Sequence, residues 1–154
     1  MKITDILSKQ AIKIGLDASN KEEALKELVD VLTTVKDVGD KKAIVKALIE
    51  RENLGSTGIG QGIAIPHGKT DRVNELIAVL GISKKGVNFE ALDGEPVFIF
   101  FLLVAPRDSA GPHLKALAKI SRLLRDNYIC ELLRNSKDEK EAYDIIRNEE
   151  EKRH

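Results

Sequence analysis

The chain has 154 residues, a length that suits one domain. Its 25 basic and 25 acidic residues balance, so the basic excess that a nucleic-acid backbone calls for is missing. Aromatic residues make up 4% and Trp is absent, which leaves no stacking shelf for bases or sugars. The single cysteine, Cys130, excludes an internal disulfide framework and a cysteine-based zinc cage, and it fits a reducing cytosol. The opening MKITDILSKQ lacks the apolar core of a signal peptide. The longest apolar run, Val97 to Ala105, falls short of the about 20 residues that a membrane-spanning helix needs. The expectation is a soluble, cytoplasmic protein with no membrane insertion.

In chain order, Ile12 to Leu16 reads as a first strand. Ser19-Asn20-Lys21-Glu22 reads as a capping box opening a helix that runs to about Val35, with Leu25, Leu28, Leu32 and Val35 along one face. A second helix follows Gly39-Asp40, carries the stripe Ile44, Val45, Leu48 and Ile49, and ends near Asn53. A glycine-rich stretch from Gly55 to Gly68 follows, within which Gly62 to Ile65 reads as a short strand ending at Pro66-His67. Leu76 to Ser83 and Val97 to Ala105 are apolar runs of strand length, the second apolar at every position as a strand buried on both faces must be. A helix from Ser109 to about Asp126 has Leu117, Ile120 and Leu124 on one face, and shorter helices cover Cys130 to Asn135 and Lys137 to Asn148. The tail EEEKRH is polar and reads as frayed. Buried strands interleaved with helices imply a three-layer α/β sandwich.

Two histidines stand out. His67 lies between Pro66, which fixes its own φ and keeps Ile65 extended, and Gly68, which leaves one side of the ring uncovered. A neutral imidazole is nucleophilic near pH 7, because its unperturbed pKa is about 6.5. Locally the same residue reads equally as a turn cap. His113 follows Pro112 in a first helical turn and joins Leu117, Ile120 and Leu124 on the inward face, near helix amides that favour an anion. Alone, it reads as a core-edge histidine bonded to a carbonyl. His154 is the terminal residue and reads as solvated.

Arg51, in the last turn of the second helix, could reach over the glycine-rich segment and fork onto phosphate oxygens, or simply complement the helix dipole. Its neighbour Glu52 leaves the charge there mixed. Ser56 and Thr57 could offer hydroxyls or amides to an anion, and Asp71 could orient a ring. The glycine-rich stretch matches neither a Walker loop nor a dinucleotide fingerprint, and no cluster has metal-ligand spacing. Cys130, among Tyr128, Ile129, Leu132 and Leu133, reads as a buried thiol.

Arg51 to Lys69, RENLGSTGIGQGIAIPHGK, together with GEPVFIFFLLVAP at Gly94 to Pro106 and HLKALAKI from His113, resembles the IIA domains of the fructose–mannitol branch of the sugar phosphotransferase system. That group includes nitrogen-regulatory IIA proteins, and the resemblance covers nearly the whole chain. It implies a three-layer α/β/α sandwich with a mixed, parallel and antiparallel, sheet of about five strands. One domain would span residues 1–150, with a frayed tail at 151–154. It implies that His67 is phosphorylated, through Nε2, with His113 and Arg51 flanking the phosphate. It implies HPr as donor and a cysteine of a IIB domain as acceptor, with no cofactor and no metal. Ile63, Ile65 and neighbouring loops would rim the docking surface. The alternative is a regulatory module of the same fold that docks to regulatory or transport partners, and a metal-dependent hydrolase built on His67 and His113 is a third, weaker reading.

Overall fold

A computed structural model describes residues 1–152 of the chain. His154 lies outside these residues. Two short 3-10 turns, Ile3–Asp5 and Lys9–Ala11, lead into β1 (Ile12–Ile14). Helix α1 (Lys21–Val35) follows, capped one residue later than the sequence pattern suggested. Asn20 Oδ1 accepts from the Glu23 amide at 3.0 Å, and the Glu23 carboxylate accepts from the Ser19 amide at 2.9 Å. The capping side chains are therefore those of Asn20 and Glu23, because Asn20 is the residue that takes the extended N-cap conformation. Leu25, Leu28, Val29 and Leu32 are fully buried along this helix. Helix α2 (Lys41–Asn53) opens on Asp40, whose carboxylate accepts from the Lys42 amide, and buries Ile44, Leu48 and, unexpectedly, Glu52.

The glycine-rich stretch holds three short strands: β2 (Gly58–Gly60), β3 (Ile63–Ala64) and β4 (His67–Lys69). Two long strands follow, β5 (Ile77–Val87) and β6 (Val97–Ala105), then α3 (Ala110–Leu124), α4 (Asn127–Arg134) and α5 (Glu139–Lys152). The six strands form one sheet of order β1-β5-β6-β3-β2, with β4 also paired to β6. Strands β5 and β6 are antiparallel, while β1 pairs with β5, and β3 and β4 pair with β6, in parallel. The sheet is thus mixed, as expected, with one strand more than expected.

Backbone spacing shows which helices cover which face. A Cβ on Gly81 of β5 would sit 2.6 Å from the Leu28 side chain of α1, so that helix presses closely on the sheet there. A Cβ on Gly68 of β4 would meet Leu48 of α2 at 3.3 Å. Helices α1 and α2 therefore share one face, and α3, α4 and α5 form the other layer, packed on one another and on β6, β5 and β1. Strand β6 lies between the layers with every side chain buried except the half-buried Phe98, which carries the Arg134 guanidinium 3.9 Å from its ring centre.

The C-terminal segment differs from the expected frayed tail. Helix α5 runs through Lys152, and Glu150 is buried. Its carboxylate accepts from the Ile3 and Thr4 amides at the other end of the chain. Those amides begin a short turn and have no partner within it, so a buried carboxylate satisfies them.

Candidate functional site

His67 begins a strand; it does not end one. The Pro66 carbonyl accepts from the Leu103 amide at 2.9 Å, and His67 pairs with Leu103 across β4 and β6. The sheet thereby fixes the backbone on both sides of the ring. Because Gly68 faces α2, alternation turns His67 and Lys69 toward α3. The ring is half-buried. Its Nδ1 lies 2.8 Å from the Ile65 carbonyl. A carbonyl can only accept, so Nδ1 carries the proton and the neutral ring keeps its lone pair on Nε2.

His113 stands on the first turn of α3 and is 6% exposed. Its Nε2 is buried and has no hydrogen-bond partner among the described residues. The two imidazoles meet edge to face, with centroids 5.6 Å apart and planes at 74°. The start of α3 has no side-chain cap, since Ser109 Oγ donates to the Pro106 carbonyl at 2.8 Å. Pro112 has no N–H and the His113 amide donates to the Ser109 carbonyl at 2.9 Å, so the Ala110 and Gly111 amides are the ones left for an anion, at the positive end of the helix dipole.

Arg51 sits on α2, where its Nη1 donates to the Gly55 carbonyl at 2.9 Å. That bond ties the guanidinium over the start of the glycine-rich loop and leaves its other donors open. A cavity of 450 Å³ brings these groups together. Ala47 and Arg51 line it from α2, His67 to Lys69 from β4, and Ala110, His113, Leu114 and Leu117 from α3. No carboxylate lines it. A larger cleft of 750 Å³, beside the N-terminal turns, contains neither histidine.

Both rings are held below the ordinary histidine range. For His67 burial is the main cause; the Arg51 charge adds to it, against the Ile65 carbonyl and Glu52. For His113 burial again leads, followed by His67 and Lys69. The site keeps its imidazoles neutral and its fixed charges positive, which suits a nucleophilic nitrogen and an incoming anion.

Other candidates fall elsewhere. Thr57 is buried, with its hydroxyl and amide both bonded to Glu52, and Ser56 Oγ accepts from the Gly58 amide at 3.0 Å. They shape the loop and do not line the cavity. Asp71 is exposed and pairs with Arg107 at 3.2 Å, while the Ile65 carbonyl orients the His67 ring. Ile63 and Ile65 are 3% and 4% exposed, so they cannot rim a docking surface. Leu114, which lines the cavity, is 67% exposed, and Leu54, three residues after Arg51, is 85% exposed. Cys130 is buried as expected, its thiol donating to the Leu124 carbonyl and pushed up to about 11, chiefly by burial. Lys69 is the site residue that the sequence reading passed over. Its position two residues after His67 would have placed it on the same face, had that tripeptide been read as a strand.

Fold and site together define a three-layer α/β domain that presents one accessible imidazole at a sheet edge, with a second imidazole and a guanidinium on the same cavity. Residues 5–149 match the family described as phosphoenolpyruvate-dependent sugar phosphotransferase system, EIIA 2. The chain belongs to that family, whose members carry phosphoryl groups between proteins. It is 38% identical over 146 residues to a nitrogen regulatory protein of Bradyrhizobium diazoefficiens, covering 95% of each. It is 40% identical over 146 residues to the fructose-specific EIIABC component of Bacillus subtilis, covering 95% of this chain and 23% of that protein. The crystal structure of nitrogen regulatory protein IIA-Ntr from Neisseria meningitidis superimposes with a TM-score of 0.86 at 30% identity, covering 94% of this chain and 98% of that one.

Proposed function

We propose that Nε2 of His67 accepts a phosphoryl group from the phosphohistidine of an HPr-type carrier and passes it to a cysteine of a IIB domain in a fructose–mannitol type permease. The observation that carries this reading is the bond from His67 Nδ1–H to the Ile65 carbonyl, which leaves Nε2 as the ring's only nucleophilic atom. In the accepting step the Nε2 lone pair attacks phosphorus in line, one N–P bond forms, and the donor's N–P bond breaks. The proton on Nδ1 stays where it is, so the phosphorylated ring carries positive charge that the Ile65 carbonyl stabilises. His113 Nε2–H and the Arg51 guanidinium stabilise the equatorial phosphoryl oxygens, as do the uncapped amides of α3. The delivering step repeats this chemistry with the cysteine thiolate as nucleophile, and His67 leaves as neutral imidazole.

The nitrogen-regulatory relatives match end to end, which favours a second role on the same chemistry: docking to regulatory or transport proteins according to the phosphorylation state of His67. Pull-downs with the phosphorylated and unphosphorylated forms separate that role from sugar uptake, as do neighbouring IIB and IIC genes. The core assignment is tested by mass spectrometry after incubation with phosphoenolpyruvate, the first enzyme of the system and HPr. The wild-type chain gains one phosphoryl group and His67→Ala gains none. Unchanged labelling of that variant would defeat the assignment.

A further inference from the structure

Helix α2 has a second apolar edge that its packing leaves open. Ile44 and Leu48 point into the core, but Val45 and Ile49, one turn apart, are only half-buried. With Val29 of α1 beneath them they line a groove of 570 Å³ between the two helices. The rim of this groove is cationic. Lys26, Lys41, Lys42 and Lys46 line it against Asp30 and Glu50. Lys41 is paired to Asp30 at 3.0 Å and Lys26 to Glu22 at 3.1 Å. Lys42 and Lys46 are exposed and their ammonium groups have no acidic partner among the described residues. They stand four residues apart on one helix, a like-charge spacing that costs stability. Glu50, one turn beyond Lys46, lies in the less favourable order for a helical ion pair and forms none among the described residues.

We propose that this groove docks an acidic amphipathic helix of another protein, its apolar residues seated on Val45 and Ile49 and its carboxylates on Lys42 and Lys46. An open apolar slot between two helices is the shape that takes a helical apolar stripe. The unpaired lysine couple beside it supplies the complementary charge. The slot lies between two helices, a shape that seats a single helix, whereas a flat anionic membrane would meet only the lysine rim.

Position on α2 separates this surface from phosphoryl transfer. Successive residues turn about 100° around a helix, so Ala47 and Arg51 lie on roughly the opposite side from Val45 and Ile49. The first pair lines the His67 cavity and the second lines the groove. A helix in the groove leaves His67 open to its phosphoryl donor. The proposal therefore stands or falls apart from the assignment of His67.

The test uses the full chain and a designed helical peptide with leucines at i, i+4 and i+7 flanked by glutamates. Amide chemical shifts and fluorescence anisotropy report binding. A matched peptide with lysines in place of the glutamates and phosphatidylglycerol vesicles serve as the other arms. The expected result is saturable binding of the acidic peptide, shifts confined to α1 and α2, and weakening with added salt. In Lys42→Glu/Lys46→Glu the affinity falls at least about tenfold, with unchanged melting and unchanged phosphorylation of His67. Equal binding of the lysine peptide, shifts centred on the His67 cavity, binding of vesicles alone, or no saturation at millimolar peptide would each overturn the proposal.

Discussion

The rings of His67 and His113 meet edge to face at 5.6 Å, and the Nε2 atom of His113 is buried without a partner among the described residues. A buried imidazole nitrogen with nothing to bond is costly, so a ligand that supplies an acceptor there recovers the loss. On the proposed function, a phosphoryl group on His67 would be such a ligand.

His113→Ala is expected to leave His67 competent but slow. It removes one donor to the transferring group and leaves the nucleophile, so the rate of transfer from HPr should fall about 10²-fold. Rapid-quench measurement of both half-reactions checks this. Wild-type rates in both would remove His113 from the mechanism.

The pH response follows from the lowered pKa of both histidines, caused first by burial. Above the unfolded value of about 6.5, both states hold neutral rings and the shift has no effect on stability. Below it the unfolded chain binds protons that the folded chain resists, so stability falls as pH drops from about 6.5. Phosphoryl acceptance should persist below pH 6.5 further than an ordinary histidine allows. Titration of the ring carbons by NMR gives the midpoints, and values at or above 6.5 would contradict the burial seen here.

Glu52→Gln should both loosen the loop and alter the nucleophile. The carboxylate holds the Thr57 amide and hydroxyl and lies 3.4 Å from Lys21. Loss of charge-assisted bonds at a buried site costs about 2 kcal/mol, visible as a lower urea midpoint. Glu52 also raises the His67 pKa, so its neutralisation should move that midpoint further down. An unchanged urea midpoint would mean that Glu52 does not brace the loop.

Glu150→Ala should destabilise the chain by about 1–3 kcal/mol, because it orphans the amides of Ile3 and Thr4. Phosphorylation of His67 at low temperature should be untouched. Denaturant melts compared with truncation after Asn148 check both statements; if both variants melt like wild type, the tail has no bracing role.

Local pattern carried much of this protein. The limits of β6 are those of its apolar run, Val97 to Ala105, because a strand buried on both faces admits no polar residue. Helices α1 and α2 lie where their stripes and capping residues put them, apart from the shift of the α1 cap to Asn20. The pair Pro66-His67 reads as a constrained imidazole from its local sequence alone. Three features were hidden. The tripeptide His67–Lys69 is too short to read as a strand, and only pairing with β6 makes it one. Ile63 and Ile65 look like rim residues in sequence, yet neighbouring strands and helices cover them. The polar EEEKRH segment gave no sign that Glu150 would be drawn inside, since its partners lie at the opposite end of the chain.

The sequence by itself determined most of the helices, the two long strands and the buried stripes, and it singled out His67 as the candidate imidazole, because those depend on periodicity and on neighbours along the chain. Only the tertiary structure decided which nitrogen of His67 is free, what shares its cavity and which apolar residues reach solvent. Arg51, His67 and His113 come from α2, β4 and α3, and no pattern within a single segment can state the distance between them.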